Sequence, residues 1–155
     1  KELIMINRKY LILLLIPTTI FIYNNFGYAY NITCSLPYKH FLIIKKVQIK
    51  QGSYILFSAP KKSQYAGMDL IKQIVGVNGM EIRVVGSDIY VDGVFVGKAK
   101  PYSKSGAKLA VITNKFIPEN NYFVAAEHVD SYDSRYREFG LINEKNIIGV
   151  AIALW

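Results

Sequence analysis

The spacing of apolar and polar residues divides the chain into two unlike parts. No charged residue occurs between Tyr10 and Tyr30, and the first half of that stretch is almost entirely apolar. An uncharged segment of about 20 residues has the length of a helix that crosses the core of a bilayer. From Phe41 onward, short apolar or alternating runs are separated by turn residues, without a sustained helical period. The pattern predicts a mostly β fold with one N-terminal transmembrane helix.

The predicted strands are rich in valine, isoleucine, tyrosine and phenylalanine, which suit a pleated and half-buried surface. Asp92-Gly93 and Asn78-Gly79 lie between such runs, and both dipeptides are typical of two-residue hairpin turns. The predicted strands are Phe41–Ile49, Ser53–Ser58, Leu70–Val77, Glu81–Val85, Ile89–Val91, Val94–Val96, Lys108–Ile112, Tyr122–Ala125 and Ile147–Leu154.

The boundary between the two parts is predicted at about Tyr30. Residues 1–30 then form a cytoplasmic stub and a membrane anchor, and residues 31–155 form one folded domain. A cleavable signal peptide is the alternative, but Gly27-Tyr28-Ala29-Tyr30 lacks the small-x-small pattern that cleavage requires. The sequence therefore favours an uncleaved anchor.

Charge predicts the orientation and the surroundings of the folded domain. Arg8 and Lys9 precede the apolar segment and no comparable cluster follows it, so the positive-inside rule places the domain on the outer, periplasmic side of an inner membrane. The net charge of +8 would suit nucleic acid or anionic lipid. Because no zinc-finger, RRM or basic-helix pattern is present, membrane lipid is the expected partner and nucleic acid is not.

Cysteine and histidine are scarce, which restricts the available chemistry. Cys34 is the only cysteine, so no intrachain disulfide can form, and we expect it to be a small packing residue. His40 and His128 are the only histidines, and no third ligand stands at metal spacing. No metal ion or other cofactor is expected.

Ser35 is a candidate nucleophile because it directly follows the apolar segment. A serine hydroxyl reacts only when a base takes its proton, and neither His40 nor His128 stands in a recognisable triad motif. A lysine serves as the base when burial lowers its pKa from about 10.4 toward neutrality. Lys72 meets this condition, since strand alternation within Leu70–Val77 places it among apolar neighbours. Taken singly, a turn serine and a strand lysine are commonplace, so the assignment depends on the wider pattern.

Several segments occur in a fixed order along the chain. They are Asn31-x-Thr33-x-Ser35-x-Pro37, Lys72-Gln-Ile-Val-Gly-Val-Asn-Gly79, Ile89-Tyr-Val-Asp-Gly93, Ser131-Tyr-Asp-Ser-Arg-Tyr136 and Ile147-Ile-Gly-Val-Ala-Ile-Ala-Leu-Trp155. Together they resemble the S26 signal peptidases, and most of all the TraF-type branch that serves conjugative transfer. The resemblance implies a signal-peptidase-like β-fold catalytic domain with a serine/lysine dyad and no cofactor.

The resemblance also implies a role for individual residues. Ser35 would be the nucleophile and Lys72 its base, and Thr33 would offer its hydroxyl to the oxyanion beside the Ser35 N–H. Ser131 would orient the Lys72 amine.

Asp133 and Arg135 would form a structural ion pair near the site, which contributes appreciably only if it is at least partly buried.

The implied activity is that of a membrane-anchored serine endopeptidase acting on a membrane-bound precursor. The TraF-type resemblance implies the pilin of a conjugation or type IV secretion apparatus as the substrate, with hydrolysis and cyclisation both open. A general leader peptidase is the alternative within enzymes. An inactive membrane-tethered scaffold of a secretion complex is the alternative outside them.

Overall fold

The computed structural model describes residues 8–33, 35–103 and 105–155, so the prediction for Cys34 lies outside the described residues. One helix opens the described chain, and short strands follow it. The elements are α1 (Arg8–Asn25), β1 (Phe26–Tyr30), β2 (His40–Ile44), β3 (Tyr54–Ser58), β4 (Asp69–Gly76), β5 (Glu81–Val85), β6 (Asp88–Val91), β7 (Val94–Lys98), β8 (Lys115–Phe116), β9 (Asn121–Ala125), β10 (Ile142–Asn143), a 3-10 helix (Glu144–Asn146) and β11 (Ile147–Ala153).

The strands form two antiparallel sheets. The larger has seven strands in the order β1-β2-β11-β3-β4-β9-β10, and the smaller has four in the order β7-β6-β5-β8. Strand β11 lies between β2 and β3, so the end of the chain is paired on both sides within the larger sheet. The mostly β prediction is confirmed.

Two apolar clusters fill the interior. The larger cluster joins the two sheets, because it contains Phe57 and Ile74 of the larger sheet together with Ile82 and Ile89 of the smaller one. All four side chains are fully buried. The smaller cluster contains Leu36, Phe41, Ile43, Ile71, Ala126 and Ala151. Alternation of buried and exposed positions along the strands explains why the apolar runs could be recognised in the sequence.

The two predicted hairpins have different outcomes. At Asp92-Gly93 both residues have positive φ, 50° and 77°, and the turn joins the paired strands β6 and β7. At Asn78-Gly79 only the glycine has positive φ, and the flanking strands β4 and β5 belong to different sheets. The second hairpin prediction is wrong, because a two-residue hairpin of this kind needs positive φ at both positions.

The other differences concern short elements. Strand β2 ends at Ile44 rather than at Ile49, since Lys46 has a φ of 57° and breaks the extended conformation. The strand predicted over Lys108–Ile112 is wrong, because Lys108 and Val111 each form only an isolated bridge, to Tyr102 and Tyr136. Strands β1, β8 and β10 were not predicted; the last two have two residues each, too few to show alternation.

Helix α1 leads directly into the larger sheet. It ends at Asn25, and residues 26–30, which the sequence assigned to the anchor, form β1 and pair with β2. Within residues 8–33, 35–103 and 105–155, no helix meets the length and apolarity needed for a membrane crossing. The transmembrane helix stays a prediction.

The close contact of β11 with β2 predicts the effect of a substitution. A Cβ atom on Gly149 would lie 2.7 Å from the Ile44 carbonyl oxygen and 2.8 Å from Ile43 Cγ2. The Ile44 oxygen belongs to a paired strand and cannot withdraw without shifting the sheet. We expect Gly149→Ala to lower the free energy of unfolding by about 1–3 kcal/mol, measured by denaturant titration.

Gly27→Ala in β1 is the matched control. Its added Cβ would meet Ile43 Cβ at an ordinary 3.5 Å. Equal losses in the two variants would contradict the steric argument.

Candidate active site

A cleft of about 820 Å³ is lined by strands of the larger sheet and by the loops next to them. Its walls come from β1, from the loop that follows it, from β3 and β4, and from the segment 128–132. Ser35, Thr33, Lys72 and Ser131 all line this cleft. Residues that lie far apart in the sequence are thus brought to one concave site, as expected of a catalytic or binding centre.

Lys72 is a buried cation within an apolar part of β4. Its side chain is 5% exposed, and its Nζ atom donates a hydrogen bond of 2.8 Å to Ser131 Oγ. Burial lowers the pKa of Lys72 to about 8, an effect that the nearby negative charge of Asp133 opposes and the positive charge of Arg135 adds to. A useful fraction of the amine is therefore neutral near physiological pH and able to accept a proton.

Ser35 is held by the loop that joins β1 to β2. The backbone N–H of Asn31 donates to the Lys39 carbonyl oxygen at 2.7 Å and closes the loop. The Ser35 hydroxyl lies 2.8 Å from Thr33 Oγ1. Within the described residues no hydrogen bond joins Ser35 to Lys72; Ser35 is bonded to Thr33, and Lys72 is bonded to Ser131.

The segments that carry Ser35 and Lys72 are packed together through one neighbouring residue of each. Leu36 follows Ser35 in the chain, and Ile71 precedes Lys72. Both belong to the smaller apolar cluster, and both are at least nine-tenths buried. Burial of these two neighbours fixes the backbone on either side of the cleft more firmly than contacts within an exposed loop could.

Asp133 and Arg135 lie behind the cleft and form a buried ion pair. Arg135 Nε donates to Asp133 Oδ1 at 2.8 Å and Nη2 donates to Oδ2 at 2.9 Å, while the side chains are only 3% and 0% exposed. The same Nη2 donates to the Ser131 carbonyl oxygen at 2.9 Å. The pair therefore fixes the backbone of the residue that holds the Lys72 amine.

The two histidines have other contacts. His40 Nδ1 lies 2.6 Å from the Tyr28 hydroxyl, and its ring packs against Trp155. His128 lines the cleft, but its Nδ1 accepts the backbone N–H of Asp130 at 3.1 Å. No group of three potential metal ligands occurs in the part of the chain that the structure describes.

Sequence reasoning assigned no role to three residues that support the site. Asn31 accepts two hydrogen bonds from Thr33, and Ser134 Oγ accepts the Val124 N–H at 3.0 Å. Gly97 leaves room for Arg135, because a Cβ atom there would lie 3.0 Å from Nη1. Asn31 and Ser134 stand inside the segments quoted for the family resemblance, whereas nothing in the sequence around Gly97 pointed to Arg135.

A known protein family matches almost the whole chain. The family described as signal peptidase, peptidase S26, matches residues 2–155. The chain belongs to the S26 signal peptidase family. The resemblance inferred from the sequence is confirmed at the level of this family, which is one of serine peptidases.

Individual S26 proteins are similar over part of the chain. Signal peptidase I V of Bacillus subtilis (strain 168) is 34% identical over an alignment of 116 residues, which covers 66% of this chain. The match spans 64% of that relative's length. A crystal structure of a signal peptidase I from Enterococcus faecalis V583 has a TM-score of 0.45 and 21% identity, over 67% of this chain and 97% of that one.

The burial of Lys72 predicts how stability depends on pH. The folded-state pKa of Lys72, about 8, lies below the ordinary lysine value of 10.5, so between these values the unfolded state binds more protons and the free energy of unfolding rises with pH. A shift of this size corresponds to roughly 3 kcal/mol. We expect Lys72→Met to lack this rise, so its stability relative to the wild type should fall by up to that amount between pH 8 and pH 10.5, measured by denaturant titration.

Lys50→Met is the matched control, because the Lys50 side chain is exposed. The comparison concerns the slope with pH, since loss of the Ser131 hydrogen bond adds only a constant offset. Parallel pH profiles for the wild type and Lys72→Met would refute the argument.

Proposed function

We propose that this chain is a serine endopeptidase with Ser35 as its nucleophile and Lys72 as its general base. The observation that carries the proposal is the presence of both groups in one cleft, with a lysine that is 5% exposed and has a pKa of about 8. A lysine is a base only when uncharged, and burial supplies that condition without a histidine. Membership in the S26 family supports the same reading.

In the proposed reaction, neutral Lys72 takes the proton of Ser35 as Oγ attacks the scissile carbonyl carbon. The resulting ammonium gives its proton to the leaving amine, and a water activated by Lys72 then hydrolyses the acyl-enzyme. The Ser35 hydroxyl must first turn from Thr33, and the Lys72 amine from Ser131. Ser131 is proposed to orient the amine and the Asp133–Arg135 pair to hold Ser131 in place.

The oxyanion needs fixed hydrogen-bond donors. The Ser35 backbone N–H is the first proposed donor, and the Thr33 hydroxyl is the second one that the family resemblance implies. In the structure the Thr33 hydroxyl donates to Asn31 Oδ1 at 2.7 Å. Its service to an oxyanion therefore requires rotation of that hydroxyl.

We propose a membrane-bound precursor as the substrate, cut on the outer side of a bacterial inner membrane. The apolar helix α1 runs into β1, and Tyr28, Ala29 and Tyr30 of β1 line the cleft. If α1 is part of the proposed single-pass anchor, the cleft lies within a few residues of the lipid surface. A precursor tethered in the same bilayer would then present its cleavage site at the right depth.

The TraF-type reading narrows the substrate to the pilin precursor of a conjugation or type IV secretion apparatus. It rests on the Ile147–Trp155 ending, quoted above for the resemblance. Water as the second nucleophile gives hydrolysis, and the pilin's own terminal amine gives a cyclic product.

A general leader peptidase is the second candidate function. It is favoured by the name of the Bacillus subtilis relative, signal peptidase I V. Such an enzyme would cut many exported preproteins rather than one pilin. Parallel assays with a pilin precursor and an unrelated preprotein separate the two candidates.

Removal of either reacting group tests the proposed mechanism. We expect Ser35→Ala and Lys72→Ala to lower precursor cleavage by at least about 10³-fold, since the members of a catalytic unit act together. Membrane-embedded full-length protein is mixed with precursor, and product masses are read by mass spectrometry, which also separates linear from cyclic product.

Ser87→Ala and Lys50→Ala, at exposed positions that do not line the cleft, are the matched controls. Undiminished precursor cleavage by Ser35→Ala would refute the proposed serine endopeptidase. An inactive scaffold would support assembly of its complex with either Ser35→Ala or Lys72→Ala.

The lowered pKa of Lys72 predicts the pH dependence of the reaction. Because the neutral amine is the base, kcat/KM should rise with pH and level off above an inflection near 8. An inflection near pH 6.5 would instead indicate a histidine base.

A further inference from the structure

Asn31 makes contacts at both ends of the nucleophile loop. Its Oδ1 accepts the backbone N–H of Thr33 at 3.1 Å and the Thr33 hydroxyl at 2.7 Å. Its Nδ2 donates to the Tyr38 carbonyl oxygen at 3.2 Å, and its backbone N–H donates to the Lys39 carbonyl oxygen at 2.7 Å. One side chain thus ties the segment before Ser35 to the segment after it.

The partners fix which way the amide of Asn31 faces. The Tyr38 carbonyl can only accept a hydrogen bond, and the Thr33 N–H can only donate one. A flipped amide would set two donors against each other at Thr33 and two acceptors against each other at Tyr38. Oδ1 therefore faces Thr33.

The same logic gives the direction of the next hydrogen bond. The Thr33 hydroxyl has one hydrogen, and it is used by Asn31 Oδ1, which can only accept. In the 2.8 Å contact between Thr33 and Ser35, the donor must then be Ser35. The result is an ordered chain in which Ser35 donates to Thr33 and Thr33 donates to Asn31.

We propose that Asn31 is a positioning residue for the nucleophile, acting through Thr33; this inference rests on the proposed function of Ser35. The amide fixes the Thr33 hydroxyl with its lone pairs toward Ser35. Thr33 then selects one of the three staggered positions of Ser35 Oγ. The nucleophile is held in place while its Oγ lone pairs stay free to attack.

Among the described residues of the loop, few others can do this. Ile32 is 86% exposed and Thr33 is also exposed, while Leu36 anchors the backbone only beyond Ser35. Without the Asn31 side chain, Thr33 would lose both of its hydrogen bonds to that amide, and the Ser35 side chain would occupy several rotamers. Misplacement of a reacting atom by about 1 Å can cost on the order of 10²-fold in rate.

Asn31→Ala in the full-length, membrane-embedded protein tests the inference against a cleavable precursor. We expect kcat to fall roughly 10- to 100-fold with KM within about twofold of the wild type, because the loss concerns the nucleophile and not substrate binding. The pH inflection near 8 should be kept, because Lys72 is untouched.

Conservative variants separate positioning from folding. Asn31→Asp keeps an acceptor for Thr33 and loses the donor to Tyr38, so it should recover part of the lost kcat. Thr33→Val should fall at least as far as Asn31→Ala, because it also removes the proposed oxyanion donor, and Thr33→Ser should recover. If the two residues act in series, the Asn31→Ala/Thr33→Val double variant should be no slower than the slower single variant.

Asn114→Ala is the matched control. Asn114 Oδ1 accepts the Val84 N–H at 2.7 Å on the smaller sheet and does not line the cleft. Its loss should leave kcat unchanged. Should Asn31→Ala fail to fold, Asn31→Asp decides the question by the same kcat criterion: a lowered kcat with KM kept supports the role, and wild-type kcat overturns it.

The two proposals fail in distinguishable ways. Wild-type kcat in Asn31→Ala, or additive losses in the double variant, would overturn the role of Asn31 while Ser35 stays the nucleophile. Cleavage that survives Ser35→Ala would overturn the proposed function itself.

Discussion

The burial of one lysine amine is the constraint on which the site depends. A lysine in water keeps its proton well above physiological pH, and a protonated amine cannot act as a base. The fold removes Lys72 from water by placing it in β4 between buried apolar residues, and it leaves the amine one polar partner, Ser131. Desolvation of the charged amine has two effects. It lowers the pKa of Lys72, which the proposed chemistry needs, and it lowers the stability of the fold while the amine is protonated.

The ion pair behind the cleft connects this amine to the rest of the molecule. Arg135 donates to the Ser131 carbonyl oxygen, and its Nη1 also donates to the Lys98 carbonyl oxygen at 3.2 Å, at the end of β7. The smaller sheet, which supplies no residue to the cleft lining, thereby supports the residue that holds the base. Because both charges are buried, each must keep its partner: a buried charge left alone costs on the order of 3–5 kcal/mol.

The sequence predicted the features that depend on local pattern or on single residue types. Strands long enough to alternate were found, as was the Asp92-Gly93 turn. Ser35 and Lys72 could be paired only because the family segments occur together. Features set by tertiary contact were missed: β8 and β10 have two residues each, and Asn78-Gly79 resembles a hairpin although it joins two sheets. The room that Gly97 gives Arg135 is likewise invisible without the fold.

The resting hydrogen bonds explain why such a site need not be reactive before a substrate arrives. Ser35 is bonded to Thr33 and Lys72 to Ser131, so the proton that must move is initially directed away from its acceptor. A peptide in the cleft would exclude water and strengthen the hydrogen bonds inside it, including the one that forms between hydroxyl and amine once both have turned. Asn31 matters in this balance because, through Thr33, it fixes where the Ser35 oxygen lies before its hydrogen turns. In the proposed mechanism the buried lysine supplies the base, and the loop supplies the position from which the nucleophile can use it.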